Sequence, residues 1–276
     1  MRIEDCQPVP EMPKNLIQTP TLVTTFQNTN FKELYEKARN GNNNFSLDVN
    51  LKGSSSLSNG LANYIFSQGG LKFRTATPSD SFEEIFSMIE GKFYTDLNAF
   101  DVWQESPERT KNKELWKQAH KLAEKKLGRS PVGTFRIQGF YVIPDENGDS
   151  SYKAIIQPAK NFRVIEDERL DLSSGTKFNE VEDGIINPHD NGKFTKYTLG
   201  NGIAGVSAYS DGDFVSVGGD LAGSSSNGRV MVYGAEGVVP KFSTEKYAAE
   251  IKKAYEEKVN SAKGIVGEAF SKLEKL

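Results

Sequence analysis

The chain has few of the residues that most often carry covalent or metal chemistry. Its 276 residues include one cysteine and two histidines. One cysteine permits no internal disulfide, so we expect a reducing compartment, the cytoplasm or an organelle stroma. Two histidines exclude most metal centres that use several imidazoles. The surroundings of Cys6, His120 and His189 suggest neither a nucleophile nor a general base, and we expect no metal, no cofactor and no catalytic set.

Long apolar runs and a strong excess of charge are also missing. The longest apolar runs, such as residues 140–143, are far shorter than the roughly 20 residues that span a bilayer, so no transmembrane segment is expected. Residues 1–6 are acidic and lack the apolar stretch of a secretory signal. The chain has 34 basic and 37 acidic residues and a net charge of −3, and nucleic acid is therefore not an expected partner.

Composition divides the chain into four segments and predicts an α+β fold. Residues 1–30 contain four prolines, which predict an extended arm. Residues 31–130 carry helical patterns. Residues 131–240 are rich in glycine and in short strand patterns, which predict an antiparallel β domain of the sandwich or barrel type. Residues 241–276 predict one long C-terminal helix.

Three helices are predicted within the second segment, over residues 31–39, 82–89 and 107–127. Ser106 is a good N-cap for the third helix, Pro107 suits its first position, and Gly128 would end it. Between the first two helices, the serine-rich run from Gly53 to Gly60 predicts a loop.

Short strands are predicted in the third segment, separated by Gly, Asn, Asp and Ser clusters. Residues 134–143 and 152–157 predict a hairpin, joined by the turn residues 144–148. The further strands are predicted at residues 162–165, 194–199, 214–217 and 230–233.

The C-terminal helix carries an apolar stripe that we predict to dock on this domain or on another subunit. Its spacing of three and four residues is that of one helix face. A helix of this length gains most of its stability from packing, so it needs a partner surface. The stripe consists of Ile251, Tyr255, Val259, Val266, Phe270 and Leu273.

Two loops resemble ligand-binding motifs. Gly200, Gly202 and Gly205 form a G-x-G-x-x-G pattern, with Asp220 at the distance of a ribose-binding acid. The residues that follow have no helical period, which favours glycine-rich turns over a dinucleotide site. Residues 145–149 resemble the start of a calcium loop, but the sixth and twelfth positions are not the glycine and glutamate that such a loop needs, which favours a polar hairpin turn.

The third predicted helix is strongly basic. Residues 106–129 contain eight basic and three acidic side chains, which gives a net charge of +5 on an acidic chain. Lys113, Lys117, Lys121 and Lys125 recur every four residues and so share one face. Such a stripe suits an acidic protein partner, a phosphate backbone or an anionic membrane, although a solvated helix face has the same pattern.

These features favour a non-enzymatic structural or linker protein that helps to assemble a multiprotein complex with other, possibly acidic, subunits. Residues 127–131, Leu-Gly-Arg-Ser-Pro, resemble a short phrase of phycobilisome rod linkers. The rest of the chain does not follow that pattern and virion proteins fit the architecture equally well, so the phrase assigns no family.

The alternative is a β domain that binds a ligand or carbohydrate, or a hydrolase that uses two carboxylates. Many acidic residues could form such a pair, and the sequence does not select one. Aromatic side chains could stack on a sugar, although each could equally pack in the core. The aromatic candidates are Trp103, Tyr141, Tyr209 and Tyr233.

Overall fold

The structure is a computed structural model, and the residues it describes are 18–23, 29–47, 53–69, 73–80, 82–89, 91, 93–147 and 151–235. These residues form an α+β fold, as predicted. The helices are α1 (Thr29–Arg39), α2 (Ser56–Gln68), α3 (Phe82–Met88) and α4 (Thr110–Leu127). The strands are β1 (Gln18–Val23), β2 (Arg74–Thr75), β3 (Tyr94–Val102), β4 (Phe135–Pro144), β5 (Ala154–Glu166), β6 (Lys177–Glu182), β7 (Ile185–Pro188), β8 (Phe194–Leu199), β9 (Ile203–Tyr209), β10 (Asp213–Val217) and β11 (Val230–Ala235).

The strands form two sheets. Eight of them lie in the order β5-β4-β3-β9-β10-β8-β6-β7, and a smaller sheet has the order β1-β11-β2. Most neighbours are antiparallel, but β8 and β10 run parallel, with Thr195 opposite Asp213. The predicted β domain is present, and it is mixed rather than purely antiparallel.

The parallel pair results from a tight crossing of two glycine backbones. Residues 200–202 connect β8 to β9 across the end of β10. Gly200 has a φ of +120°, and a Cβ there would lie 2.7 Å from the Cα of Gly218. The Gly218 amide donates to the carbonyl of Leu199 over 2.6 Å. Because glycines permit this approach, β10 lies between β8 and β9.

Two apolar clusters lie on opposite faces of the large sheet. On β3, Phe100 and Val102 belong to one cluster, whereas Leu97 and Ala99 belong to the other. Successive side chains of a strand point to opposite faces, so the two clusters are separated by the sheet. Helices α1, α2 and α4 contribute to the first cluster, and α3 contributes to the second.

The predicted loop at residues 53–60 is wrong, because α2 begins there. Ser55 is the N-cap, and its side chain and that of Ser58 form a capping box. Gly60 faces Val142 so closely that any Cβ would collide with it. The serines that suggested a loop are buried. They satisfy backbone groups in the first turn of the helix, whereas Gly60 leaves room for β4.

Helix α4 begins later than predicted. Arg109 is its N-cap, so Ser106 does not cap it and Pro107 does not occupy its first turn. Pro107 is instead buried against Gly202, where a Cβ would collide with the proline backbone. The predicted end is confirmed, because Gly128 forms the C-cap with a φ of +71°.

The predicted arm and the predicted helical segment both contain strands that the sequence did not indicate. Residues 18–23, within the predicted arm, form β1 and pair with β11 from Gln18 opposite Ala235 to Val23 opposite Val230. Strands β2 and β3 lie within the segment predicted to be helical. The predicted C-terminal helix lies outside the described residues.

The predicted strands are largely present. The β4–β5 hairpin is confirmed, and β5 continues through residues 162–165, which were predicted as a separate strand. Strand β8 matches its predicted bounds, and β10 and β11 contain theirs. Strands β6, β7 and β9 were not predicted, because their patterns are short and interrupted by charged residues or glycine.

Candidate functional site

The four predicted lysines lie on the outer face of α4. Lys113, Lys117, Lys121 and Lys125 are all exposed. Lys117 pairs with Glu114 over 3.2 Å on the same helix. Within the described part of the chain, the other three form no ion pair. The face therefore presents positive charge to the solvent.

The opposite face of α4 fixes this helix to the domain. Leu115, Ala119 and Leu122 are buried in the first apolar cluster. The Asn112 amide donates to the Gly218 carbonyl over 3.0 Å. Just after the C-terminal end of the helix, Arg129 forms a bidentate ion pair with Glu166 of β5. The phrase at residues 127–131 thus contains the helix C-cap and this anchor.

The G-x-G-x-x-G glycines permit close packing. Gly200 and Gly202 make the close approaches to Gly218 and Pro107 described above. A Cβ on Gly205 would collide with Ser56 of α2. Strand β9 follows the motif where a dinucleotide fingerprint needs a helix. Asp220, the candidate ribose ligand, forms an ion pair with Lys111 over 3.3 Å.

An open cleft of about 660 Å³ lies where β3 and β9 meet the loop of residues 223–228. Tyr94 and Tyr209 are opposite each other in the ladder and both line the cleft. Their rings are nearly parallel, with 5.3 Å between centroids and an interplanar angle of 18°. Its lining residues are Gly91, Phe93, Tyr94, Tyr209, Ser210, Asp211, Gly223, Ser224, Ser225 and Asn227.

Asp96 lies next to this pair of rings on the same face of β3. Its Oδ1 accepts a hydrogen bond from the Ser207 hydroxyl over 2.7 Å. Its Oδ2 is fully buried and has no hydrogen-bond partner among the described residues. Burial raises the pKa of Asp96 to about 6, despite opposing hydrogen bonds from Ser207 and Ser54.

The four aromatic candidates separate in the structure. Tyr209 lines the cleft, as described. Trp103 is half-buried, and its carbonyl accepts a hydrogen bond from the Trp116 indole over 2.8 Å. Tyr141 is half-buried and packs edge-on against Tyr64. Tyr233 is buried, with the guanidinium of Arg74 4.8 Å from its ring centroid.

The sequence does not indicate Tyr94 as a candidate. Its ring pairs with that of Tyr209 across two strands that are far apart in the chain, and such a contact leaves no local pattern in the sequence.

A buried charged network lies on the other face of the sheet. Arg136 donates to both carboxylate oxygens of Asp101, over 2.6 and 3.0 Å, and the Ser216 hydroxyl donates to the same carboxylate. Burial by itself would raise the pKa of Asp101. The charge and hydrogen bonds of Arg136, together with the nearby charge of Lys196, outweigh burial and lower it. Asp101, Arg136 and Ser216 are all buried from solvent, and we assign this network to stability.

The remaining predicted site residues lie outside the described part of the chain. This holds for Cys6 and for the stripe Ile251, Tyr255, Val259, Val266, Phe270 and Leu273. Among the described residues, no three His, Cys, Asp or Glu side chains are grouped closely enough to hold a metal ion.

No described helix has both the length and the apolarity needed to cross a membrane. Comparison with protein-family models, curated proteins and solved structures gives no match to this chain.

Proposed function

We propose that the protein is a non-enzymatic structural component that joins a larger assembly by presenting the basic face of α4 to an acidic protein partner. The observation that carries the proposal is the exposure of Lys113, Lys117, Lys121 and Lys125 on one side of a firmly packed helix.

The spacing of the lysines favours a partner that presents an extended acidic surface. Four residues of α-helix rise about 6 Å, so the four ammonium groups follow a line of about 18 Å. Neighbouring like charges disfavour an isolated helix. An acidic partner would remove this repulsion and gain several charge pairs at once.

The attachment of α4 supports a docking role. The buried apolar face and the Arg129–Glu166 pair hold the helix at both its centre and its end. A partner therefore meets charges on a preformed surface, and binding costs little backbone ordering. The overall charge of −3 weakens the case for nucleic acid, because the rest of the chain would repel a phosphate backbone.

The test is the mass of the complex that a tagged chain forms in its native source. In one variant, Lys113, Lys117, Lys121 and Lys125 are changed to Gln. A matched control changes four other exposed lysines to Gln, namely Lys32, Lys37, Lys160 and Lys193. Circular dichroism and thermal unfolding verify that both variants fold.

We expect the native chain and the control to elute in a nuclease-resistant complex above 30.6 kDa, and the stripe variant to elute as a free chain. Raising the salt concentration should release the native chain, since exposed charges are screened within about 10 Å at 0.1 M. A native chain that is monomeric, or a stripe variant that stays in the complex, would refute the proposal.

A further inference from the structure

We propose that the Tyr94–Tyr209 cleft binds a neutral saccharide. This site is separate from the basic face of α4, and the inference does not depend on the assembly role.

The two rings supply the apolar part of such a site. Because Tyr94 and Tyr209 are cross-strand neighbours, the sheet holds their rings nearly parallel at 5.3 Å. The C–H face of a sugar ring is weakly positive and packs on the negative face of an aromatic ring. Both tyrosines are half-buried and line the cleft, so each is held in place while part of it is accessible.

The polar groups match a ligand rich in hydroxyls. The Tyr94 hydroxyl is occupied, because it donates to the Ser54 carbonyl over 3.2 Å and accepts from the Ser225 amide over 3.0 Å. The Tyr209 hydroxyl makes no hydrogen bond within the described residues. Burial, with the nearby charges of Asp96 and Asp211, raises the pKa of Tyr209 to about 12, so this hydroxyl stays protonated and can donate. Asn227 and Asp211 line the cleft and are exposed, so they can bind further hydroxyls.

The charge of the described lining favours a neutral ligand over an anionic one. No lysine, arginine or histidine is among the described residues that line the cleft, and Asp211 contributes a negative charge. Arg229 is buried, with its guanidinium 4.1 Å from the ring centroid of Phe93. Its Nη1 already donates to the carbonyls of Ser226 and Gly228. The described lining therefore offers a phosphate one like charge and no cationic partner.

The wall of the cleft is preorganised. The Ser224 hydroxyl accepts a hydrogen bond from the Ser54 amide over 3.0 Å. The Gly228 amide donates to the Ser225 carbonyl over 2.9 Å. A volume of about 660 Å³ lies within the range of roughly 300–1,000 Å³ that is typical of small-ligand sites. A preformed wall of this kind reduces the entropy lost on binding.

Saturation-transfer NMR on the full chain tests the inference with glucose, galactose, mannose, xylose and their disaccharides. We expect at least one sugar to bind with its ring C–H protons saturated most strongly. Tyr209→Ala should weaken binding roughly tenfold, because it removes one of the two stacked rings. Tyr209→Phe, which retains the ring, should weaken it less.

Tyr197→Ala is the matched control, since Tyr197 is a partly exposed tyrosine on β8 that does not line the cleft. It should bind like the native chain. Asn227→Ala, at an exposed loop position, supplies a second cleft variant if Tyr209→Ala unfolds. The inference is wrong if no sugar of the panel binds, if binding survives both cleft variants, or if tetramethylammonium binds in place of every sugar. The assay uses the isolated chain, so its outcome is independent of the assembly experiment.

Discussion

The Ser54 amide donates a hydrogen bond to the Ser224 hydroxyl over 3.0 Å, although 170 positions separate the two residues. Each serine follows a glycine and opens a run of three serines. This contact joins the start of α2 to the wall of the Tyr94–Tyr209 cleft. The two Gly-Ser-Ser-Ser runs therefore form one structural unit, which neither run indicates alone.

Gly228→Ala should destabilise this unit. A Cβ at position 228 would collide with the backbone of Gly53 and Ser54. Overpacking against backbone typically costs about 1–3 kcal/mol, and we expect that loss in urea unfolding. Gly219→Ala is the control, because the nearest atom to its Cβ would be 3.5 Å away. Equal stability of the two variants would contradict the contact.

Asp101→Asn should cost about 3–5 kcal/mol of unfolding free energy, because it leaves the buried charge of Arg136 without its partner. Asp183→Asn removes the partner of Arg163 from an exposed pair and should cost about 0–1 kcal/mol. Chemical denaturation at pH 7 distinguishes the two. A loss at Asp101 as small as that at Asp183 would show that the network does not support the sheet.

Asp96 should make the protein less stable as pH rises from about 4 to about 6. Its pKa is raised, so the folded state binds the proton more tightly than the unfolded state, and stability falls over this window. At about 1.4 kcal/mol per pKa unit, the ionised carboxylate costs about 3 kcal/mol at pH 7. Asp96→Asn should remove this pH dependence.

The measurement is the unfolding free energy of both chains between pH 4 and pH 8. We expect the variant to gain stability relative to the native chain as pH rises. A difference that is constant across this range would mean that Asp96 titrates normally.

Removal of β1 should destabilise the smaller sheet. A chain that starts at residue 24 lacks the six residue pairs between β1 and β11, whereas a chain that starts at residue 18 retains them. A loss of about 2–3 kcal/mol corresponds to roughly 4–6 °C in Tm for a chain of this length. We expect the shorter chain to melt lower by this amount and to exchange the amides of Val230 to Ala235 faster. Equal melting of the two chains would show that β1 adds nothing.

Local patterns in the sequence predicted α1, α4 and the β4–β5 hairpin. Each of these elements is specified by residues close together in the chain. Leu115, Ala119 and Leu122 share one face of α4 at helical spacing, and Gly128 ends the helix. The exposure of the lysine face follows from the same period, because burial of one side of a helix turns the other side to solvent.

Contacts between distant segments determined the start of α2 and the order of the strands, which local patterns did not predict. The serines before Gly60 have the composition of a loop, but Ser55 and Ser58 cap a helix whose Gly60 packs closely against Val142 of β4. The order of β8, β9 and β10 depends on the approach of Gly200 to Gly218.

The cleft also depends partly on a residue that the sequence indicated and partly on contacts between distant segments. The sequence singled out Tyr209 as one of four aromatic candidates, and the pairing of β3 with β9 places Tyr94 beside it. The sequence by itself determined the helical periods, the basic stripe and the hairpin, because these depend on neighbours within a few residues. Only the tertiary structure decided the strand order, the buried Asp101–Arg136 pair and the cleft, because each requires backbones far apart in sequence to meet.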